Sequence, residues 1–203
     1  MKKNKLILFT ATLLLSSVGF ISTALADVTL KHGYIDKPPS RAFLCSSKGQ
    51  NLNKNCGPVQ YEPQSVEGLK GFPKDGPKDG EIASGGNAAF SALNEQSADR
   101  WHKVAMKSGE NTFKWTLTAK HSTASWKFFI TKPEWDVNKP LTRADFDLTP
   151  FCQQDDNGKI PTETVELNCN IPERSGYQVI LGVWNIADTK NAFYQVIDAE
   201  FKE

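Results

Sequence analysis

The stretch at residues 112–119, TFKWTLTA, alternates between polar and apolar side chains. Phe113, Trp115 and Leu117 occupy every second position, and threonine or lysine lies between them. A period of two residues is typical of a β-strand with one face buried and the other in water. The stretch therefore predicts a sheet that is covered on one side.

The chain beyond this stretch carries further strand patterns. Residues 126–131 are rich in aromatics, residues 193–201 alternate again, and the run YQVILGVW at 177–184 is long and apolar enough for a central strand. Convincing helices are few, although residues 62–71 and 87–101 have room for short ones. We predict an all-β fold, a fibronectin III-like or immunoglobulin-like β-sandwich with a large loop region containing short helices.

The loop region is predicted at residues 45–111, where glycine, proline, asparagine and serine are frequent. It contains the tandem turn sequence PKDGPKDG at 73–80, in which proline presets φ and glycine accepts a positive φ. Irregular segments of this length in compact domains are commonly functional. We therefore expect the region to build a surface beside one end of the sandwich.

The first 26 residues have the pattern of a secretory signal peptide. Lysines within residues 1–5 precede an apolar run at 6–21, and Ala24-Leu25-Ala26 offers the small residues that a signal peptidase reads. A membrane anchor is the alternative, because residues 6–26 are nearly long enough to span a bilayer. Cleavage predicts a secreted, extracellular protein without a membrane segment, in which residues 32–203 form a single domain.

Cleavage also changes the formal charge from +1 to −2, since it removes three lysines and no acidic residue. A chain so near neutrality lacks the basic patch expected for binding to nucleic acid or anionic lipid. We therefore expect a neutral partner.

Four cysteines remain in the exported chain: Cys45, Cys56, Cys152 and Cys169. An even number in an oxidising compartment indicates disulfides, and three pairings are possible. Pairing of neighbours, Cys45–Cys56 and Cys152–Cys169, closes two short loops and is the simplest. A metal cluster is the weaker alternative, because the sequence contains no Cys-x-x-Cys.

Standard hydrolase motifs are missing from the sequence. It has no Gly-x-Ser-x-Gly, no His-Glu-x-x-His and no P-loop, and sequence alone pairs no two carboxylates across a glycosidic bond. The three histidines are His32 at the start of HGYI, His102 beside Trp101, and His121 just after the strand at 112–119. Any one of them, taken alone, is more often a surface or hydrogen-bonded residue than a metal ligand.

Taken together, five stretches resemble the bacterial chitin-active lytic polysaccharide monooxygenases, first described as chitin-binding proteins. They are, in chain order, HGYIDKPPSRAFLC (32–45), CGPVQYEPQSVEGLKGFP (56–73), NTFKWTLTAKHSTASWKFFITKP (111–133), PLTRADFDLTPFC (140–152) and CNIPERSGYQVILGVWNIADTKNAFYQVID (169–198). The likeness covers essentially the whole chain after the signal region, with the cysteines in place.

The resemblance implies a copper enzyme. In that family the mature chain begins with the histidine of His-Gly-Tyr, whose α-amino and imidazole nitrogens bind one copper ion, and a second histidine completes a three-nitrogen site. The matching residues here are His32 and His121. Planar nitrogen donors suit copper(II). With an external reductant and H2O2 or O2, such enzymes break glycosidic links by oxidation and thereby assist chitinases.

The resemblance also implies roles for residues around the metal. Phe193 matches the aromatic that shields an axial copper face, Ala119 the small residue packed over the site, and Glu67 the carboxylate that lines the oxidant's pocket. Four more match the flat surface that meets insoluble chitin: Tyr61, Glu62, Asp188 and Asn191. A flat face suits a crystalline polymer, which cannot enter a cleft, and an aromatic ring with polar groups suits sugars. We expect a monomer and no role for His102.

The N-terminus departs from the family pattern. The best cleavage site follows Ala26 and leaves five residues ahead of His32, and Lys31 is a poor residue for a signal peptidase. A chain that starts at Asp27 would give His32 an amide nitrogen, which is a poor copper ligand. We expect the mature chain to start at His32.

Two other functions compete with this one. A non-catalytic chitin-binding or GlcNAc-binding protein, serving adhesion or colonisation, would bind chitin without oxidising it. A hydrolytic chitinase would need an acid pair, which the sequence does not reveal.

Overall fold

The computed structural model describes residues 32–202, so the predicted signal peptide at 1–26 lies outside the described residues. Within this range the strands are β1 (Gly33–Lys37), β2 (Glu67–Leu69), β3 (Val104–Met106), β4 (Gly109–Leu117), β5 (Thr123–Ile130), β6 (Cys152–Lys159), β7 (Thr164–Ile171), β8 (Gly176–Ile186) and β9 (Asn191–Phe201). The α-helix is α1 (Arg41–Cys45), and short 3₁₀ helices cover Gly57–Gln60, Pro63–Ser65, Ile82–Ser84, Ala88–Asn94 and Arg143–Asp145. No helix within 32–202 is long and apolar enough to cross a membrane.

The strands form two sheets that pack as a sandwich. The small sheet has the order β1-β4-β7, and the large sheet has the order β2-β9-β8-β5-β6. β3 lies beside the C-terminal half of β9 and pairs with it in parallel, whereas the other pairs are antiparallel. The predicted β-sandwich is confirmed.

An aromatic core fills the space between the two sheets. Trp115 of β4, Trp126 of β5 and Trp184 of β8 are fully buried, and the rings of Trp126 and Trp184 stack with centroids 4.9 Å apart. Phe113 and Leu117 are buried beside them, while the threonines and lysine between are partly exposed. The alternation predicted at 112–119 is therefore confirmed as a half-buried strand.

The large sheet is covered on its outer face as well. Val179, Leu181 and Val183 of β8 belong to a second cluster that packs against the loop region through Val59 and Phe90, among others. Because both faces of β8 are buried, its apolar run does not alternate. The loop region thus forms a third layer that lies on the sheet.

Disulfides and an ion pair tie these layers together. Cys45 pairs with Cys56 and Cys152 with Cys169, as the simplest pairing predicted. The first joins α1 to the 3₁₀ helix Gly57–Gln60, and the second joins β6 of the large sheet to β7 of the small one. In addition, the guanidinium of Arg41 donates to both carboxylate oxygens of Asp198, at 2.9 and 2.5 Å, and both side chains are fully buried.

Some local predictions need correction. Residues 62–71 contain a 3₁₀ helix and the strand β2 where only a helix was predicted, and β1, β3, β6 and β7 were not predicted. β6 reads CQQDDNGK and is largely exposed, so it lacks the apolar alternation of a half-buried strand. The two glycines of the tandem turn, Gly76 and Gly80, have the positive φ expected of them.

Candidate functional site

One end of the large sheet brings together the histidines at 32 and 121 and the surface expected around them. The strand pairings Leu69↔Asn191, Asn185↔Ala192, Thr123↔Ile186 and Thr123↔Lys159 define this end. It therefore carries the end of β2, the start of β9, the end of β8, the start of β5 and the end of β6, in that spatial order.

His32 is held at this end through its backbone. Its carbonyl oxygen accepts hydrogen bonds from the Thr118 N–H at 2.8 Å, the Ala119 N–H at 3.1 Å and the Thr118 hydroxyl at 3.1 Å. Glycine at residue 33 allows this approach, because a Cβ there would lie 2.6 Å from the end of the Leu117 side chain and 3.1 Å from the Trp184 ring. The segment that carries His121 therefore also positions His32.

His121 is positioned by the start of β5. Its carbonyl oxygen accepts from the Thr123 hydroxyl at 3.1 Å, and that hydroxyl accepts from the indole N–H of Trp184 at 2.8 Å. The imidazole is buried and meets the Trp184 ring edge-on, with centroids 5.6 Å apart. A single core tryptophan therefore contacts both the backbone support and the side chain of His121.

Phe193 of β9 lies against both imidazoles. Its ring centroid is 5.6 Å from that of His32 and 5.7 Å from that of His121, and it stacks on Trp184 at 4.9 Å. The side chain is fully buried. The two histidines, 89 positions apart in the chain, therefore converge on one aromatic ring at the top of the sandwich core.

The electrostatics of the site favour a neutral His32. Burial lowers the pKa of its imidazole from the ordinary value of 6.5; the Glu67 carboxylate opposes this, His121 lowers the pKa further, and Glu62 raises it. The Nδ1 atom of His32 is buried without a hydrogen-bond partner. A neutral imidazole with an unsatisfied nitrogen is suited to a transition metal such as copper.

The nitrogen donors brought together at this site are the imidazoles of His32 and His121. Within residues 32–202 no group of three or more histidine, cysteine, aspartate or glutamate side chains is placed to hold a metal ion. The two histidines are the residues that the sequence suggests as metal ligands.

Glu67 and Asn191 lie next to this centre. Glu67 pairs with Phe193 across β2 and β9, and the Asn191 side-chain amide donates to the Glu67 carboxylate at 2.7 Å. Gly68 permits the arrangement, because a Cβ there would lie 1.8 Å from the carbonyl oxygen of Gly85. A cleft of about 500 Å³ opens beside these residues and extends along β2.

The remaining residues predicted for the site lie around it. Tyr61, at the end of the 3₁₀ helix Gly57–Gln60, is 83% exposed, and the partly buried Glu62 is near enough to affect His32 electrostatically. Asp188 is exposed in the turn between β8 and β9, and Ala119 is half-buried beside the His32 carbonyl. His102 is exposed, and its backbone N–H donates to the side-chain oxygen of Asn53.

Sequence reasoning missed two supporting residues. Thr123 was not singled out, and Trp184 was assigned to the core without a link to His121. The position of Thr123, two residues after His121 at the start of a strand, was the available indication. Its hydrogen bond to Trp184 depends on the pairing of β5 with β8, which sequence does not reveal.

Comparison with known protein families shows to which family the chain belongs. The family model described as lytic polysaccharide mono-oxygenase, cellulose-degrading, matches residues 32–199. The chain belongs to this family. The match begins at His32, the residue whose imidazole faces Phe193, and it covers every strand except the last two residues of β9.

Curated relatives are similar over most or nearly all of the chain. GlcNAc-binding protein A of Yersinia enterocolitica serotype O:8 / biotype 1B is 50% identical over 202 residues, which is 99% of this chain and 39% of that protein. The chain thus spans about two fifths of the length of the curated relatives it matches.

Solved structures confirm the fold. The crystal structure of an AA10 lytic polysaccharide monooxygenase from Photorhabdus luminescens is 55% identical with a TM-score of 0.83, over 84% of this chain and 99% of that one. A Bacillus amyloliquefaciens CBM33 in complex with Cu(I) after photoreduction is 42% identical with a TM-score of 0.78, over 84% and 100%. The latter supports copper as the metal of the family.

Proposed function

We propose that this protein is a secreted, copper-dependent lytic polysaccharide monooxygenase that binds crystalline chitin and cleaves it by oxidation, making it more accessible to chitinases. The observation that carries the proposal is the convergence of the His32 and His121 imidazoles on Phe193, with His32 at the first residue of the family match. The protein acts outside the cell and as a monomer in this proposal.

The residues of the site suit copper. The imidazoles of His32 and His121 would hold the ion, together with the α-amino nitrogen of His32 in a chain cleaved after Lys31. Bound copper would supply the redox chemistry that, with a reductant and H2O2 or O2, breaks a glycosidic bond by oxidation. In this proposal the buried Phe193 excludes water from one side of the site, Ala119 would pack over it, and the Glu67 carboxylate, which accepts from Asn191, would line the approach.

The surface around the site suits chitin. Tyr61 presents an exposed ring, and Glu62, Asp188 and Asn191 present hydrogen-bonding groups that can meet hydroxyls and N-acetyl amides. The family description mentions cellulose, but several relatives about 50% identical carry the name GlcNAc-binding protein A. We therefore assign an N-acetylglucosamine polymer as the substrate.

One observation favours a second candidate, a chitin-binding protein without catalysis. Lys31 precedes His32, whereas the small residues of a signal-peptidase site end at Ala26. A secreted chain that keeps residues 27–31 has an amide nitrogen at His32 and only the two imidazoles for copper. Binding to chitin would remain, because the surface residues are unaffected.

The mature N-terminus distinguishes these two candidates. The measurement is the intact mass of the secreted, disulfide-bonded protein together with N-terminal sequencing. A chain that starts at His32 should bind one copper ion tightly in a calorimetric titration and release oxidised chito-oligosaccharides with ascorbate. A chain that starts at Asp27, with weak copper binding and no oxidised products, would leave only the binding function.

A pair of histidine variants tests the assignment of the metal ligands. His121→Ala should abolish release of oxidised products, by at least about 100-fold because the metal provides the chemistry, and largely spare chitin binding. His102→Ala, at an exposed histidine, is the matched control and should behave as wild type. Unchanged activity of His121→Ala would refute the mechanism, and reducing-end products without a reductant would indicate a hydrolase instead.

A further inference from the structure

The exposed apolar side chains are concentrated near the proposed site. Among residues 32–202 the exposed large hydrophobic side chains are Tyr61 (83%), Ile160 (69%), Leu69 (61%), Leu52 (45%) and Leu148 (45%). Single exposed hydrophobics are ordinary on protein surfaces. Here, however, Leu69 and Ile160 lie at the same end of the large sheet as His32 and His121. Neither is among the residues proposed so far to bind copper or chitin.

Leu69 is held rigidly at one edge of this end. It pairs with Asn191, the residue that orients Glu67. The following residue, Lys70, donates its N–H to the carbonyl of Lys190 and its ammonium to the carbonyl of Ile186, both at 2.9 Å. Leu69 is therefore fastened to the turn between β8 and β9, and its side chain borders the cleft beside Glu67.

Ile160 occupies the opposite edge. It directly follows β6, whose last residue Lys159 pairs with Thr123, two positions after His121. The Ser122 hydroxyl donates to the carbonyl of Gly158 at 2.7 Å, which ties the end of β6 to the segment that carries His121. The register of this pair is irregular between Thr123 and Ser125, and Gly158 has a positive φ, so the end of β6 departs from a regular strand next to the His121 segment.

The sheet order sets the distance between the two edges. β2 and β6 are the outermost strands of the order β2-β9-β8-β5-β6, so four interstrand steps of about 4.8 Å separate Leu69 from Ile160 by about 19 Å. The strands that carry Phe193 and adjoin His121 lie between them. A span of this length exceeds one sugar ring and suits an extended polymer.

We propose that Leu69 and Ile160 are substrate-contacting residues at the two edges of the chitin-binding face, where their side chains pack on the apolar faces of N-acetylglucosamine rings in a crystalline chitin surface. The inference rests on the proposed function, since it takes chitin as the occupant. The two contacts continue the face formed by Tyr61, Glu62, Asp188 and Asn191 to both sides of the copper site. Their separation exceeds one sugar ring, so contact with both at once requires an extended chain or a polymer surface.

Serine variants test the two contacts. Leu69→Ser and Ile160→Ser should each weaken binding to insoluble β-chitin about threefold to tenfold, because each loses part of the burial of one aliphatic side chain. The double variant should show about the product of the two effects, since residues this far apart act independently. Leu69→Met and Ile160→Leu keep the apolar area and should bind as wild type.

Leu148→Ser is the matched control. Leu148 is exposed and lies close after Phe146, which bridges to Thr131 just beyond the other end of β5. Its substitution should leave chitin binding unchanged. Thermal unfolding should give the same midpoint for all these variants within about 2 °C, because the altered side chains are exposed.

The outcomes separate this inference from the proposed function. Wild-type protein that fails to bind chitin would refute the proposed function itself. Wild-type binding that is unchanged in Leu69→Ser and Ile160→Ser, while Tyr61→Ala weakens it, would overturn the inference alone. Equal weakening in Leu148→Ser would also overturn it, since the effect would then be independent of position.

Discussion

The candidate site has two halves that are built differently. The sheet half consists of Trp184 and Phe193 on regular strands and His121 just before β5, and these buried rings pack against one another. The loop half consists of Tyr61, Glu62 and Glu67, which lie in the long loop region and are exposed or partly exposed. Substitutions in the sheet half should therefore change stability and chemistry together, whereas those of Tyr61 and Glu62 in the loop half should change binding with little effect on stability.

The loop half is joined to the sheet by polar and covalent tethers in addition to the apolar cluster of the third layer. The Arg41–Asp198 ion pair fastens α1 to β9, and the Arg41 guanidinium also donates to the carbonyl of Leu93 and to Gln96. The Tyr177 hydroxyl donates to the Asp198 carboxylate at 2.6 Å. The Cys45–Cys56 disulfide then connects α1 to the helix that ends at Tyr61. Substitutions that break one of these tethers should show how far the loop half and the sheet half differ in their contributions to stability and binding.

The largest effect is expected from the buried ion pair. Arg41→Met leaves the Asp198 carboxylate buried with its principal partner removed, so the free energy of unfolding should fall by about 4–5 kcal/mol. Arg100→Met, which breaks an ion pair with the exposed Glu95, is the control and should cost less than about 1 kcal/mol. Urea denaturation measures both. Equal small losses would show that the loop layer does not depend on this tether.

A slightly smaller loss is expected at the aromatic ring between the histidines. Phe193→Ala should lower the free energy of unfolding by about 3–4 kcal/mol through the cavity it creates, and it should also weaken copper binding. Phe128→Ala removes an equally buried ring that contacts Phe113 and Phe151. It should cost similar stability and leave copper affinity unchanged. Copper titration of both variants would contradict this account if the two affinities fell equally.

The disulfides offer a direct comparison of the two regions. Replacing Cys45 and Cys56 by serine should cost about 3 kcal/mol, and replacing Cys152 and Cys169 should cost about the same, because the closed loops are similar in length. Chitin binding should fall only in the first variant, since that bond positions the helix before Tyr61. The measurements are thermal unfolding and binding isotherms. Equal loss of binding in both would contradict the separation of the two halves.

The smallest effect on stability is expected at Tyr61. Tyr61→Ala should change the free energy of unfolding by no more than about 0.5 kcal/mol, because the ring is exposed. Binding to chitin should weaken by about tenfold, as for an exposed aromatic that becomes buried in an interface. Tyr61→Phe keeps the ring and should retain most of the binding. A large stability loss in Tyr61→Ala would show that the ring supports the packing of the loop layer and does not serve binding alone.

Prediction from sequence succeeded where one physical pattern dominated. The alternation at 112–119 and the apolar run at 177–184 predicted β4 and β8, because burial on one face or on both imposes those patterns. It failed for β6, whose residues are mostly polar and exposed, and for β2, whose three residues depend on pairing with β9. β7 carries an alternation of Val165, Leu167 and Cys169 that could have revealed it.

The sequence by itself determined the all-β class, the even set of cysteines and the family of the chain, because these follow from local patterns and from collinear motifs. Only the tertiary structure decided that His32, Glu67, His121 and Phe193 share one end of the large sheet. It also decided that Leu69 and Ile160 lie at opposite edges of that end. Strand order arises from pairing between distant segments and from burial of the large sheet on both faces, which no local pattern encodes.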